Sequence, residues 1–265
     1  MKSLVSTFAL RHLPIEESIA KLLENGWSSI EVMCEGFGYD MLDWDPTKRK
    51  ELRRLLQHYG ASINFHGPYI EFNPALDNPA VRFKTEEIWK KCMELVAFFN
   101  SEYILFHPGK SENHEQGIEN IQQFYSEKIH DLPDGSLLLL ENVPPYEKQI
   151  GTNSDDLIQI LDAVHNEKIR VCFDTGHAFL ANRDEFDSEL QKLKPYIKGF
   201  HLNDNHGKVD EHLAIGDGEI PFESIMELIS SKERDDFVNF EMSTLNDANQ
   251  SREKVNRLLG RTRGV

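Results

Sequence analysis

Histidines and carboxylates stand at the ends of the strand-like runs of this 265-residue chain. His66 closes ASINF, His107 closes YILF, Glu141 closes LLLL, Asp174 closes VCF, His201 closes IKGF and Glu241 closes VNF. Asp174 is followed by His177 in DTGH, and His201 by Asp210 and His212 in VDEH. Imidazole nitrogens and carboxylate oxygens are donors that zinc accepts, and one zinc ion takes about four of them. Nine such donors converging on one place point to a multinuclear metal centre.

Taken singly, each position has a plainer role. Asp174 suits a helix cap, Glu141 a hydrogen bond to a neighbouring strand, and His107, before Pro108 and Gly109, a turn. The set is harder to explain that way, because polar side chains at successive strand ends are costly to bury unless paired or metal-bound. The other histidines act as a control. His12, His58, His114, His130 and His165 fall on helical or loop stretches away from strand ends, and His206 reads as a solvated loop residue.

The elements that must position these donors alternate along the chain. SLVSTF leads to a helix opened by Pro14 and stopped by Gly26, and SSIEVM to a helix from about Thr47 to His58, stopped by Gly60. ASINFH precedes a long helix from about Pro79 to Asn100, and EYILFH one around Gly117 to His130. SLLLLE precedes a helix capped by Asn153 or Ser154, and IRVCFD one near Glu185 to Leu193. IKGFHLN precedes a helix after Pro221, and FVNFE the last, from about Asp247. The strands are short and continuously apolar, as parallel strands covered on both faces should be. Eight such units predict an α/β fold, a single (β/α)8 TIM barrel, with one domain over residues 1–265. In that architecture the carboxyl ends of all strands face one mouth, where active sites lie.

Composition narrows the function classes. Apolar residues make up 39% of the chain, enough for a core, and no low-complexity tract or linker marks a domain boundary. No segment approaches the roughly 20 apolar residues needed to cross a bilayer, and MKSLVSTFALRH lacks a cleavage pattern, so a cytoplasmic location is expected. Cys34, Cys92 and Cys172 are odd in number, lack CxxC spacing and read as reduced and buried. A net charge of -16 disfavours binding of nucleic acid or anionic membrane through the bulk field, so an anionic substrate must be attracted locally. Signatures of P-loops, nucleophile elbows, dinucleotide folds and HExxH proteases are missing from the sequence.

At this point the motifs resemble a family. FHGPY, FHPG, LEN, DTGHAF, FHLND, the VDEH pair, IGDGEI and the terminal FE resemble the metal-site motifs of endonuclease IV, within the xylose isomerase-like TIM-barrel superfamily, over about residues 60–245. The resemblance implies up to three Zn2+ ions, or Mn2+ in their place. His66, His107 and Glu141 would hold the first, with Glu141 bridging to a second held also by Asp174, His201 and Glu241. His177, Asp210 and His212 would hold the third. Three divalent ions bring +6 and the four ligating carboxylates -4, so the pocket would carry +2 within a chain of -16. It further implies hydrolysis of a DNA phosphodiester 5' to an abasic site, with Glu141, Glu241 and His177 as catalytic groups. Tyr69 and Ile70, in HGPYI, stand where that family has an aromatic and an aliphatic residue that enter the DNA groove, although loop packing would account for them as well.

Two segments depart from the family. The loop CEGFGYDMLDWD after the second strand is acidic and aromatic where the endonucleases carry basic and polar residues, and GWSSIEV resembles the second strand of sugar isomerases and epimerases. Basic residues near the mouth are few, Lys110 and Lys208 being the clearest. The second reading is therefore a sugar or sugar-phosphate isomerase or epimerase. In it Glu141, Asp174, His201 and Glu241 bind one divalent ion, Glu141 and Glu241 form the acid/base pair, His177 orients substrate hydroxyls, and Trp44, Phe37 and Tyr39 wall a small pocket. That reading leaves His66, His107, Asp210 and His212 without a task. A metal-binding protein without catalysis fits least, since structural zinc sites close at four ligands. The expected partners are abasic-site DNA or a small phosphorylated or sugar substrate, with no membrane and no obligatory protein partner.

Overall fold

Side chains alternate across a strand, and in a closed barrel one set faces the helices and the other the interior. The computed structural model, which describes residues 1–231 and 233–260, has eight parallel strands closed in sequence order. They are β1 (Lys2–Ser6), β2 (Ser29–Met33), β3 (Ser62–His66), β4 (Tyr103–Phe106), β5 (Leu137–Glu141), β6 (Ile169–Asp174), β7 (Ile197–Leu202) and β8 (Phe237–Phe240). Helices connect them: α1 (Ile15–Glu24), α2 (Pro46–Tyr59), α3 (Pro79–Phe99), α4 (His114–Lys128) and α5 (Ser154–Val164), then α6 (Thr175–Ala181) and α7 (Phe186–Leu193) after β6, α8 (Glu223–Ser230) after β7 and α9 (Leu245–Leu258) after β8. The chain is a single (β/α)8 TIM barrel. The expected domain extent of 1–265 includes residues 232 and 261–265, which lie outside the described residues.

The alternation fixes where the donors point. Ile104 and Phe106 of β4, Leu138 and Leu140 of β5, and Val171 and Phe173 of β6 join the large cluster shared with the helices. Tyr103, Leu105, Leu139 and Cys172 form a separate cluster that fills the barrel interior. Carrying the same period of two to the end of each strand makes His107, Glu141 and Asp174 the next inward positions. The register sets Asp174 beside His201, so β6 and β7 deliver their donors at one level, while on β8 Asn239 lies beside His201 and the donor Glu241 follows two positions on.

Local signals explain the element ends. Asp45 accepts from the amides of Thr47 and Lys48 ahead of Pro46, and α2 exits through Gly60 at φ 61°. Asn78 caps α3 in the same way. The first strand stops at Ser6, short of the expected Phe8, because the Ser6 hydroxyl accepts from the Phe8 amide and starts a 3-10 turn over Thr7–Leu10. The helix α4 begins at His114, earlier than Gly117, since Asn113 caps the Gln116 amide. After β6 the chain enters α6 at once, a helix the periodicity did not announce in seven residues dominated by the site itself.

Candidate metal centre

All nine sequence-identified donors gather at the carboxyl end of the barrel, in three groups. His66, His107 and Glu141 make one group, Glu141, Asp174, His201 and Glu241 a second, and His177, Asp210 and His212 a third; within each group the donor atoms lie within 4.8 Å of one another. Donors around a tetrahedral zinc, each about 2.0–2.1 Å from the ion, are separated by roughly 3.3 Å. Here His66 Nε2 and His107 Nε2 lie 3.3 and 3.1 Å from Glu141 Oε2. His201 Nδ1 lies 2.9 Å from Glu141 Oε1 and 3.1 Å from Glu241 Oε2. His177 Nε2 and His212 Nε2 lie 3.2 and 3.1 Å from Asp210 Oδ2. The two oxygens of Glu141 face different groups, as a bridging carboxylate requires.

The buried polar atoms make the same case. Both oxygens of Glu141, His201 Nδ1 and Asp210 Oδ1 are buried and have no hydrogen-bond partner. Histidine nitrogens stand within 3.3 Å of Glu141 without a formed hydrogen bond, a cost of about 1–3 kcal/mol for each buried group left so, and a cation among them is the natural occupant. The residues present fit divalent metal, and the nitrogen and oxygen donor set suits zinc.

The rings are already oriented for metal. His66 Nδ1 donates to the Gly67 carbonyl at 2.8 Å, His177 Nδ1 to the Asn142 carbonyl at 2.9 Å, and His212 Nδ1 to the Glu241 carbonyl at 2.7 Å. A carbonyl only accepts, so the proton sits on Nδ1 and Nε2 presents its lone pair to the site. The chain at Gly67 runs against Phe106, where an added Cβ would come within 2.1 Å of the ring, so only glycine keeps this backbone path. Asp174 is fixed from both sides: Oδ1 accepts from the His177 amide at 2.7 Å, so the plainer capping role is real as well, and Oδ2 accepts from Asn203 Nδ2 at 2.9 Å. Ser6 donates to Glu241 Oε1 at 3.2 Å.

Without metal the site is a lattice of paired charges. Burial works against ionised Glu141, yet His201, His107 and His66 hold it well below the usual carboxylate range. Burial opposes Asp210 too, and hydrogen bonds from His177 and His212 hold it far below its usual value. Burial pushes Asp174 up to about 6. Burial disfavours charge on His177, but Asp174 and Asp210 outweigh it and keep the ring well above its usual value. For His107 burial wins, and its pKa is lowered.

The mouth is a cavity of about 260 Å³ with Phe8, Tyr69 and Tyr146 as its aromatic walls. Tyr69 stacks on His107, with ring centroids 5.2 Å apart, and Ile70 at its side is 64% exposed. The aromatics expected as walls lie elsewhere. Trp44 is buried in the core, Tyr39 is tied to Glu71, and Phe37 lines a smaller neighbouring cleft, because the loop after β2 folds back as a 3-10 segment over Gly36–Asp43. The control histidines His12, His58, His114, His130, His165 and His206 are all exposed, and the three cysteines are free and buried. Sequence reasoning passed over Glu31, Asn142 and Asn203. The available signal was a polar residue inside an otherwise apolar run, as in SSIEVM, or directly after a donor, as in LEN.

Residues 19–259 match a family described as xylose isomerase-like TIM barrel. An uncharacterized protein of Methanocaldococcus jannaschii is 30% identical over 260 residues, covering 96% of this chain and 87% of that protein. A protein of Mesomycoplasma hyopneumoniae named probable endonuclease 4 is 30% identical over 179 residues, and the match spans 63% of this chain and 64% of that relative's length. Among solved structures, a D-tagatose 3-epimerase-like protein superposes with a TM-score of 0.87 at 29% identity, covering 98% of this chain and 97% of that one. No helix among the described residues is long and apolar enough to cross a membrane.

Proposed function

The chain belongs to the xylose isomerase-like TIM-barrel family, and from that premise we propose that it is a metal-dependent phosphoester hydrolase with up to three divalent ions, zinc first and manganese as the substitute. The observation that carries the reading is the shared carboxylate of Glu141, one oxygen toward His66 and His107 and the other toward His201, with a third donor group alongside. A single ion in the central group would use four donors and leave His66, His107, His212 and Asp210 turned inward without purpose. When bound, closely spaced divalent ions lower the pKa of a water toward ~7 and neutralise charge on both the attacking and the leaving oxygen.

The protein's own groups account for the rest. Glu141 and Glu241 hold negative charge at the centre and stand within reach of a proton released there, while His177 orients oxygen atoms between the central and third groups. Tyr69 and Ile70 form the rim against which the alcohol portion of the ester lies. At about 260 Å³ the cavity takes one phosphoester and its neighbouring sugar, and a longer substrate would extend over the rim. In the endonuclease reading that substrate is an abasic-site duplex.

One observation favours the second reading, a sugar or sugar-phosphate isomerase or epimerase. The backbone amides of Tyr69 and Ile70 both donate to Glu35, at 3.1 and 3.2 Å, so the rim that would meet a DNA phosphate carries a carboxylate instead. The test is metal analysis of the purified protein together with assays on an abasic-site duplex, small phosphoesters and ketose epimerisation. About three ions per chain with phosphoester cleavage supports the hydrolase; one ion with epimerisation replaces it.

A further inference from the structure

Glu31 lies on β2, one layer beneath the donors, and is fully buried. Three donors converge on its carboxylate: Tyr103 Oη at 2.7 Å, Asn239 Nδ2 at 2.8 Å, and His201 Nε2 at 3.2 Å from each oxygen. Strands β2, β4, β7 and β8 thus meet in one polar node, beside the apolar cluster of Leu105, Leu139 and Cys172. A carboxylate is the side chain that can accept from three directions at once. Glutamine keeps one accepting oxygen and would turn an NH2 group toward one of the donors.

The consequence falls on His201. With Nε2 facing a carboxylate, the ring proton belongs on Nε2, and Nδ1 carries the lone pair. That Nδ1 is a buried atom with no hydrogen-bond partner, set between carboxylate oxygens of Glu141 and Glu241. Lone pair and carboxylates facing one another repel unless a proton or a metal ion sits among them. His66, His177 and His212 are oriented the opposite way, through Nδ1, and by neutral backbone carbonyls. His201 Nε2 instead meets both oxygens of a carboxylate at 3.2 Å, whereas His177 Nδ1 bonds a carbonyl and has carboxylate oxygens of Glu141 and Asp174 only at 3.6 Å.

We propose that Glu31 is a positioning residue for the central metal site: it holds His201 as the Nε2-protonated tautomer and strengthens Nδ1 as a donor to an ion held by Glu141, Asp174, His201 and Glu241. The inference rests on the metal-centre reading above and adds a residue outside the nine donors.

The experiment uses the full chain loaded with Zn2+, and separately with Co2+, in wild-type and Glu31→Gln forms. The readouts are ions retained against a competing chelator, the visible spectrum of the cobalt form, and melting of the metal-free protein. The expected result is a 10- to 100-fold weaker hold on one ion per chain and a changed cobalt spectrum, beside a lower Tm of the metal-free protein because an NH2 group then faces a buried donor. Retention of every ion within twofold of wild type, with an unchanged spectrum, overturns the role of Glu31 and leaves the metal centre standing. A wild-type chain that binds no ion overturns both. Should the variant fail to fold, histidine nitrogen NMR of zinc-loaded wild type decides: a proton on Nε2 of His201 supports the assignment, and a proton on Nδ1 overturns it.

Discussion

His177 and His212 reach the same oxygen of Asp210, at 3.2 and 3.1 Å, one ring from α6 and the other from the loop after β7. In the metal-free protein that oxygen joins two rings that must each bring a proton to bond to it. Any ion entering the group takes the place of those protons.

The pH dependence of stability should therefore reverse on loading. Burial alone would lower His212, but Asp210 raises it to about 9, above the unfolded value of 6.5. A raised histidine contributes stability that is fully present below about 6.5 and is lost as pH rises through about 9, on the order of 3 kcal/mol for this shift. The chelator-treated protein should melt at lower temperature at pH 9.5 than at pH 7. The zinc-loaded protein should be held more firmly over the same range, because the metal needs neutral rings. Parallel melting curves for the two forms would remove the third donor group from the metal centre.

Glu141→Gln should abolish turnover and release ions from two groups at once. Its two oxygens serve His66 and His107 on one side and His201 on the other, and glutamine leaves one of them an amide NH2. The expected change is a fall of at least about 10³-fold in kcat together with the loss of more than one ion per chain. Full metal content in this variant would contradict the bridging role.

His107→Ala separates the two functional readings. His107 contacts Glu141 and stacks beneath Tyr69, and takes no part in the central group. A hydrolase that needs the first ion should lose about 10²-fold or more, with metal content reduced by one. An isomerase working from the central ion should keep most of its rate. Wild-type phosphoester cleavage in this variant would sink the trinuclear assignment.

The barrel was legible because its signals are local. Caps such as Asp45 and Asn153, exits such as Gly60, and continuous apolar runs each act within a few residues, and eight of them in alternation leave few topologies. Six of the donors were legible because period two carries the last inward position of β3 to β8 to the mouth, whereas His177, Asp210 and His212 lie on α6 and in the loop after β7 and were read from DTGH and VDEH. Glu31 and Asn203 were not, since their meaning lies in contacts made across the barrel: Glu31 meets His201 at a sequence separation of 170. Nor could periodicity place Trp44, which the fold of an irregular loop sends into the core.

Gly176 tests how much of the site depends on close packing. An added Cβ there would stand 2.0 Å from Asn203 Oδ1, closer than real Cβ contacts, and a tight 3.0 Å from Asn205 Nδ2. Asn203 has little freedom to yield, because its backbone amide and carbonyl are both bonded to Thr175 Oγ1, at 3.1 and 2.7 Å. Its side chain would have to rotate away, and its Nδ2 would leave Asp174 Oδ2, which it now holds at 2.9 Å. Gly176→Ala should therefore cost about 1–3 kcal/mol from overpacking, read as a lower Tm of the metal-free protein. Asp174 freed on one side should also weaken the central ion about 10-fold or more, read by chelator competition. A variant that loses stability but keeps its zinc affinity would show that the amide of His177 alone suffices to orient Asp174, and would move Asn203 from the metal site to the packing of α6.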